Sequence, residues 1–176
     1  MTPDERHRLI REEDLRLGVA ERPIIEDLRS VGVEVESVWD LVNSPNNYNQ
    51  AIPVLLRHLE LPYPVKIRGG IARSLGIRGA TFLWPRLLEL YRKEPIPLET
   101  PGMGAKDGLA VALSAIATTE NIPDIIELLR DRRHGSSRVL LLVPLRRRRK
   151  KDPAIAAVLK ELSTDPQFQK EISAWK

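Results

Sequence analysis

Cysteine is absent from this 176-residue chain. That excludes disulfides, a thiolate nucleophile and any cysteine-ligated metal. Aromatic residues are scarce, with three Trp, three Tyr and two Phe. The core must then be built from Leu, Ile, Val and Ala, as suits small helices stacking closely. The longest apolar run, Val139 to Leu145, falls far short of the roughly 20 residues that span a bilayer. Residues 1–13 are dense in charge and hold no apolar signal core. A cytoplasmic protein of bacterial style, without membrane contact, is the expectation. His7, His58 and His134 lie in three separate segments, none with a second histidine at helical spacing. No metal site and no cofactor is therefore expected.

What the chain does have is a recurring proline. Pro23, Pro53, Pro85, Pro123 and Pro153 are spaced 30 to 38 residues apart. Each stands just ahead of a short amphipathic stretch. Four copies superpose, with apolar residues two, three and six positions on: Leu55, Leu56 and Leu59; Leu87, Leu88 and Tyr91; Ile125, Ile126 and Leu129; Ile155, Ala156 and Leu159. The first copy, Ile24, Ile25 and Leu28, is offset by one. A fixed period of this length marks stacked supersecondary units.

The spacing divides the chain into a polar N-terminal helix or cap (1–20), repeats at about 21–47, 48–80, 81–120 and 121–152, a partial repeat at 153–163, and a capping helix at 164–176. The pattern predicts helices near 22–31, 35–43, 82–93, 105–118, 122–132 and 137–150. Pro62 and Pro64 end the first helix of the second repeat near Leu61, because proline lacks an N–H and restricts the residue before it. Pro144 falls inside the 137–150 pattern and is expected to kink it. Asp152-Pro153 and Asp165-Pro166 read as N-cap acids followed by proline at the first helical position. Residues 94–104, with three prolines and two glycines, form the longest expected loop and a hypothetical second contact surface. Trp39 and Trp84 lie in apolar patterns and are expected in the core, whereas His58 is expected on a solvated face.

The segment Ala51-Ile52-Pro53-Val54-Leu55-Leu56, then Val65-Lys66-Ile67-Arg68 and Ala72-Arg73-Ser74-Leu75-Gly76, resembles a HEAT repeat. In the third repeat Ala110 and Leu113 take the matching places, Ser114 replaces the glycine, and Gly108 falls near the arginine position. The other repeats match less. The resemblance implies an all-α fold: a right-handed α-α superhelix, that is, a short HEAT-like solenoid of antiparallel helix pairs. It implies that the second (B) helices line a concave, partner-binding face, and that Arg68 bridges to the neighbouring repeat. No common chemistry comes with the family, which includes scaffolds, chaperone-like binders, bilin-lyase subunits and one branch of DNA glycosylases.

The net charge of +4 is unevenly placed. Between Arg130 and Lys151 there are ten Lys or Arg and one acid, a local balance of +9, while 18 bases and 23 acids occupy the rest. Arg146, Arg147, Arg148 and Arg149 with Lys150 and Lys151 could neutralise phosphates, or simply end a helix whose dipole favours cations. The turn at Asp131 to Arg138 gathers Arg133, His134 and Arg138 with Arg130 just before it; it could hold an oxyanion, or be tied by an Asp131–Arg138 pair with His134 exposed. Lys66, Arg73, Lys106 and Asp107 are the B-helix candidates for the partner face, Arg73 foremost. No nucleophile–base order, paired-carboxylate motif or phosphate-cradling loop is present; Gly102-x-Gly104 is too short and follows proline. The function expected is a non-enzymatic module binding a protein partner. The alternative is a nucleic-acid binder using residues 130–151, with a glycosylase a distant third.

Overall fold

The computed structural model describes residues 2–42, 44–96 and 103–175, and within them all regular structure is helical. Helix α1 (Pro3–Ser30) opens with a capping box in which the Thr2 side chain accepts from the Glu5 N–H and the Glu5 carboxylate accepts from the Thr2 N–H. It is followed by α2 (Trp39–Val42), α3 (Ile52–Leu59), α4 (Val65–Ser74), α5 (Trp84–Lys93), α6 (Ala105–Ile116) and α7 (Ile122–Arg130). A 3₁₀ segment (Arg132–Leu142) then leads to α8 (Val143–Arg148), α9 (Pro153–Leu162) and α10 (Pro166–Ser173).

The recurring prolines explain where most of these helices begin. Pro53, Pro85, Pro123, Pro144, Pro153 and Pro166 all lie in the first turn of their helices. There the missing N–H has no intrahelical acceptor to lose, and the fixed φ is already helical. Pro144 therefore kinks nothing. The chain ahead of it is 3₁₀, and α8 starts at Val143. Pro23 departs from the pattern: α1 runs through it as a single helix of 28 residues, with no break at the expected cap boundary near residue 20. Val19 and Pro23 are both exposed, so the carbonyl that Pro23 leaves unbonded can be hydrated.

Four helices pack on the element that follows them, α3 on α4, α5 on α6, α7 on the 3₁₀ segment and α9 on α10, while α1 packs on α3. A second series runs from α2 to α4 to α6 to the 3₁₀ segment to α10. The residues two and six positions after the proline are buried in all four copies: Leu55 and Leu59, Leu87 and Tyr91, Ile125 and Leu129, Ile155 and Leu159. Each such leucine or isoleucine contributes about 1.5–3 kcal/mol on leaving water. The third position is less constant, buried at Leu88 but exposed at Ala156.

Helices α4 and α6 approach each other closely. A Cβ on Gly108 would lie 2.6 Å from the Ala72 Cβ and 2.7 Å from the Gly69 carbonyl oxygen, so only glycine lets the two helices meet. Trp84 is buried and donates its indole N–H to Asp124 Oδ2 at 2.8 Å. His58 is also buried, not solvated: its ring bonds Asp27 Oδ2 at 2.8 Å and Tyr63 Oη at 2.7 Å, linking α1 to α3. At the far end Phe168 on α10 is wholly buried, with Ile172 and Trp175 packed beside it.

Candidate functional site

Three cations on successive elements of the second series reach back to the same place in the preceding long helix. Arg68 on α4 donates to the Leu59 carbonyl at 3.3 Å. Lys106 on α6 donates to the Tyr91 carbonyl. Arg138 in the 3₁₀ segment donates to the Leu129 carbonyl at 2.7 Å. Leu59, Tyr91 and Leu129 are the residues six positions after Pro53, Pro85 and Pro123. They lie in the last turns of α3, α5 and α7, where carbonyls lack intrahelical partners and the helix dipole is negative.

Beyond the carbonyl the three cations differ. Arg68 forms a two-pronged pair with Glu94, at 2.7 and 2.8 Å, just past the end of α5. Arg138 places two nitrogens 3.3 Å from Asp165 Oδ2 and also bonds Gln167. Among the described residues no carboxylate lies within ion-pair distance of Lys106; its second partner is His134 Nδ1 at 3.0 Å. An ammonium has only donors, so Nδ1 accepts and the imidazole proton lies on Nε2, 3.6 Å from Asp131 Oδ2. The ammonium is also 4.1 Å from the Tyr91 ring centroid. The Tyr91 hydroxyl shares a hydrogen bond with Ser137 at 2.8 Å.

Beside Lys106 and His134 opens a cleft of about 550 Å³. Its carboxylates are already engaged: Glu94 by Arg68, Glu127 by Arg92 at 2.8 Å, and Asp131 by Arg133 at 2.8 Å. Desolvation pulls the Lys106 ammonium down to about 8, and His134 is lowered first by burial and then by Lys106. Burial pushes Tyr91 up to about 12. Hydrogen bonds from Arg133 hold Asp131 at about 2.

The stability consequence follows from linkage. Between a folded-state value of about 8 and the ordinary 10.5 for lysine, the unfolded chain binds the extra proton, so stability rises with pH. Tyr91 acts oppositely above pH 10, where the folded chain keeps a proton that the unfolded chain releases. The expected result is a urea midpoint that climbs between pH 8 and about 10 in the wild type relative to K106M. A difference between the two that does not change with pH over this window would count against a desolvated Lys106.

Among the residues expected to meet a partner, Lys106, Asp107, His134 and Arg138 prove to be buried. They are interior because α6 packs against α4, α5 and the 3₁₀ segment, and the 3₁₀ segment in turn packs against α6, α7 and α10. The anticipated Asp131–Arg138 tie is replaced by Asp131–Arg133 and Arg138–Asp165. Arg130 is at the surface, paired with Glu161 at 3.0 and 2.6 Å. Arg146, Arg147, Arg148, Arg149, Lys150 and Lys151 form no carboxylate pair among the described residues. The Arg146 guanidinium lies 5.5 Å from the centre of the Trp175 ring.

Lys66 is half-exposed, 3.9 Å from Glu13. Arg73 is on the same face of α4, its guanidinium 5.4 Å from the ring of Trp39, which is only partly buried. Trp39, Lys66, Ile67 and Met103 line a groove of about 480 Å³ against Leu17 and Gly18 of α1. Most of the expected 94–104 loop, residues 97–102, lies outside the described residues, as does Gly102. The sequence reasoning missed Tyr91, Glu94 and Trp175. The one available signal was Tyr91 itself, an aromatic hydroxyl where the other copies have leucine.

These features define an all-helical protein whose hairpins are joined by the half-buried Arg68 and the buried Lys106 and Arg138. No known protein family matches this chain, and no curated protein or solved structure does either. Among the described residues no helix is long and apolar enough to cross a membrane, and no group of His, Asp and Glu could hold a metal ion.

Proposed function

We propose that this chain is a short HEAT-like right-handed α-α superhelix acting as a non-enzymatic protein-interaction module. The alternating helix contacts support the architecture, and so does the cation that returns to the same carbonyl in three consecutive hairpins. The partner face is the B-helix side, and one observation carries it: Trp39 is left partly open in the groove beneath Arg73. An aromatic ring beside a guanidinium is the pairing that anchors many protein interfaces. Of the B-helix candidates, Lys66 and Arg73 are the contact residues, since Lys106 and Asp107 are buried. A second reading, nucleic-acid binding, is favoured by the six cations at 146–151 and by the tryptophan beside Arg146.

Selection from a random displayed-peptide library on the immobilised chain tests both. Enriched peptides, synthesised and titrated, are expected to bind W39A and R73A at least tenfold more weakly than wild type, with little salt dependence. A labelled DNA duplex in the same assay should show no binding near physiological salt. Peptides that bind the two variants as well as wild type, or a library that yields none, would sink the first reading. Duplex binding that weakens steeply with salt would put the second in its place.

A further inference from the structure

Arg68 and Arg138 each bind two things, a helix-end carbonyl and a carboxylate from the next hairpin. Lys106 has the carbonyl but no carboxylate, and where the carboxylate would stand the structure has a neutral imidazole and a cleft. We propose that the cleft is an oxyanion site, in which Lys106 binds the carboxylate or phosphate group of a small molecule that occupies the place held by Glu94 on Arg68 and by Asp165 on Arg138.

The argument rests on what surrounds the ammonium. Lys106 is 2% exposed, yet its two hydrogen-bond partners are both uncharged. Glu94 and Asp131 favour the ammonium from a distance but neither touches it. A buried cation with no carboxylate in contact is an expensive arrangement, and an ammonium with two acceptors keeps a third proton to donate. Among the described residues nothing is in place to take it. Glu94, Glu127 and Asp131 face the cleft from the end of α5, from α7 and from the turn, and each is held by an arginine. Tyr91 offers only its carbonyl and ring, since its hydroxyl is engaged by Ser137. Asp107, the neighbouring acid on α6, is buried and not among the cleft-lining residues. Arg92, Lys93 and Arg133 line the same cleft beside Glu94, Glu127 and Asp131, so with Lys106 its lining carries one more cation than acids. The cleft volume of about 550 Å³ admits a molecule larger than a bare ion. The inference stands whether or not the groove at Trp39 binds a protein.

The test uses the full chain at pH 7 and constant ionic strength, with sodium chloride exchanged for sodium phosphate or sodium acetate. Thermal unfolding should shift upward and saturate with at least one of the two anions, as ligand binding to the folded state requires. In K106M the apparent affinity should fall at least tenfold. A variant with Arg146, Arg147, Arg148 and Arg149 all changed to alanine should keep the response, which separates the cleft from the exposed basic run. The response should fade above pH 9, where Lys106 is neutral.

A measurement on wild type alone covers the case in which K106M fails to fold. Reductive methylation followed by mass spectrometry should show that the active anion slows modification of Lys106 several-fold while leaving exposed Lys93 unchanged. Loss of the thermal response in the four-alanine variant, an undiminished response in K106M, or no selective protection of Lys106 would each overturn the proposal.

Discussion

Replacing Arg138 with methionine will lower the unfolding free energy by about 3 kcal/mol, the largest loss expected for any single surface-to-core cation in this chain. Its side chain is 4% exposed. It donates to the Leu129 carbonyl at 2.7 Å and to the Gly135 carbonyl at 3.2 Å, and it bonds Asp165 and Gln167. Its guanidinium also lies 4.7 Å from the centre of the buried Phe168 ring. Methionine fills similar space, so the loss isolates the polar contacts from packing. Removing one partner of a buried network is costly because the others stay behind unsatisfied. Arg132, 3.6 Å from Asp165, softens the effect by remaining as a partner.

Two further variants sharpen this result. R138K keeps the charge but loses the fork, and should retain roughly half of the stability, since one ammonium cannot serve carbonyl and carboxylate in the same geometry. R138M combined with D165N should recover part of the loss, because no unpaired carboxylate is left. Urea unfolding followed by circular dichroism measures all three. A loss under 1 kcal/mol for R138M would mean that α10 does not depend on this residue for its attachment.

Gly108→Ala will destabilise the chain by about 2 kcal/mol even though it replaces the weaker helix former with the best one. The intrinsic gain is about 1 kcal/mol. Against it, the new methyl would meet the Ala72 Cβ at 2.6 Å, the Gly69 carbonyl oxygen at 2.7 Å and the Arg73 nitrogen at 3.1 Å. Two of those atoms are backbone and the third is a Cβ, so none can swing aside and the helices must part. Gly18→Ala supplies the contrast. Nothing lies within 4 Å of a Cβ at Gly18 in α1, and the same substitution there should stabilise by up to about 1 kcal/mol. Opposite signs for one chemical change in two helices would demonstrate that α4 and α6 touch through their backbones. Equal signs would contradict that contact.

Surface pairs such as Arg130–Glu161 and Arg133–Asp131 enter none of these expectations. Both arginines are largely exposed, and pairs of this kind contribute about 0–1 kcal/mol.

The proline period was legible because its cause is local. A proline in the first turn, apolar residues two and six positions on, and the stops at Pro62 and Pro64 all act within a few residues of backbone, so the starts of α3, α5, α7, α9 and α10 follow from sequence. Pro144 was misplaced for an equally local reason. The pattern of apolar residues at 137–145 reads as helix, but whether proline ends a helix or begins one depends on the turn before it. Here Gly135, at φ of +61°, breaks the chain and a 3₁₀ path fills the gap.

Pro23 shows the limit from the other side: its place in the interior of α1 is permitted by solvent on its exposed face, which composition does not report.

By itself, then, the sequence determined a helical chain without thiol chemistry, the spacing of its helix starts, and the burial of the apolar positions two and six residues after four of its prolines. Those follow from backbone sterics and from the partition of side chains between water and core. Only the tertiary structure decided which charges are inside. Arg138, Lys106 and Asp107 look on paper like the exposed Arg130 and Lys66, since a charged residue carries no local mark of burial. Their fate was set when α6 packed between α4, α5 and the 3₁₀ segment and α10 closed on that segment, which left Lys106 facing an imidazole where Arg68 and Arg138 face a carboxylate.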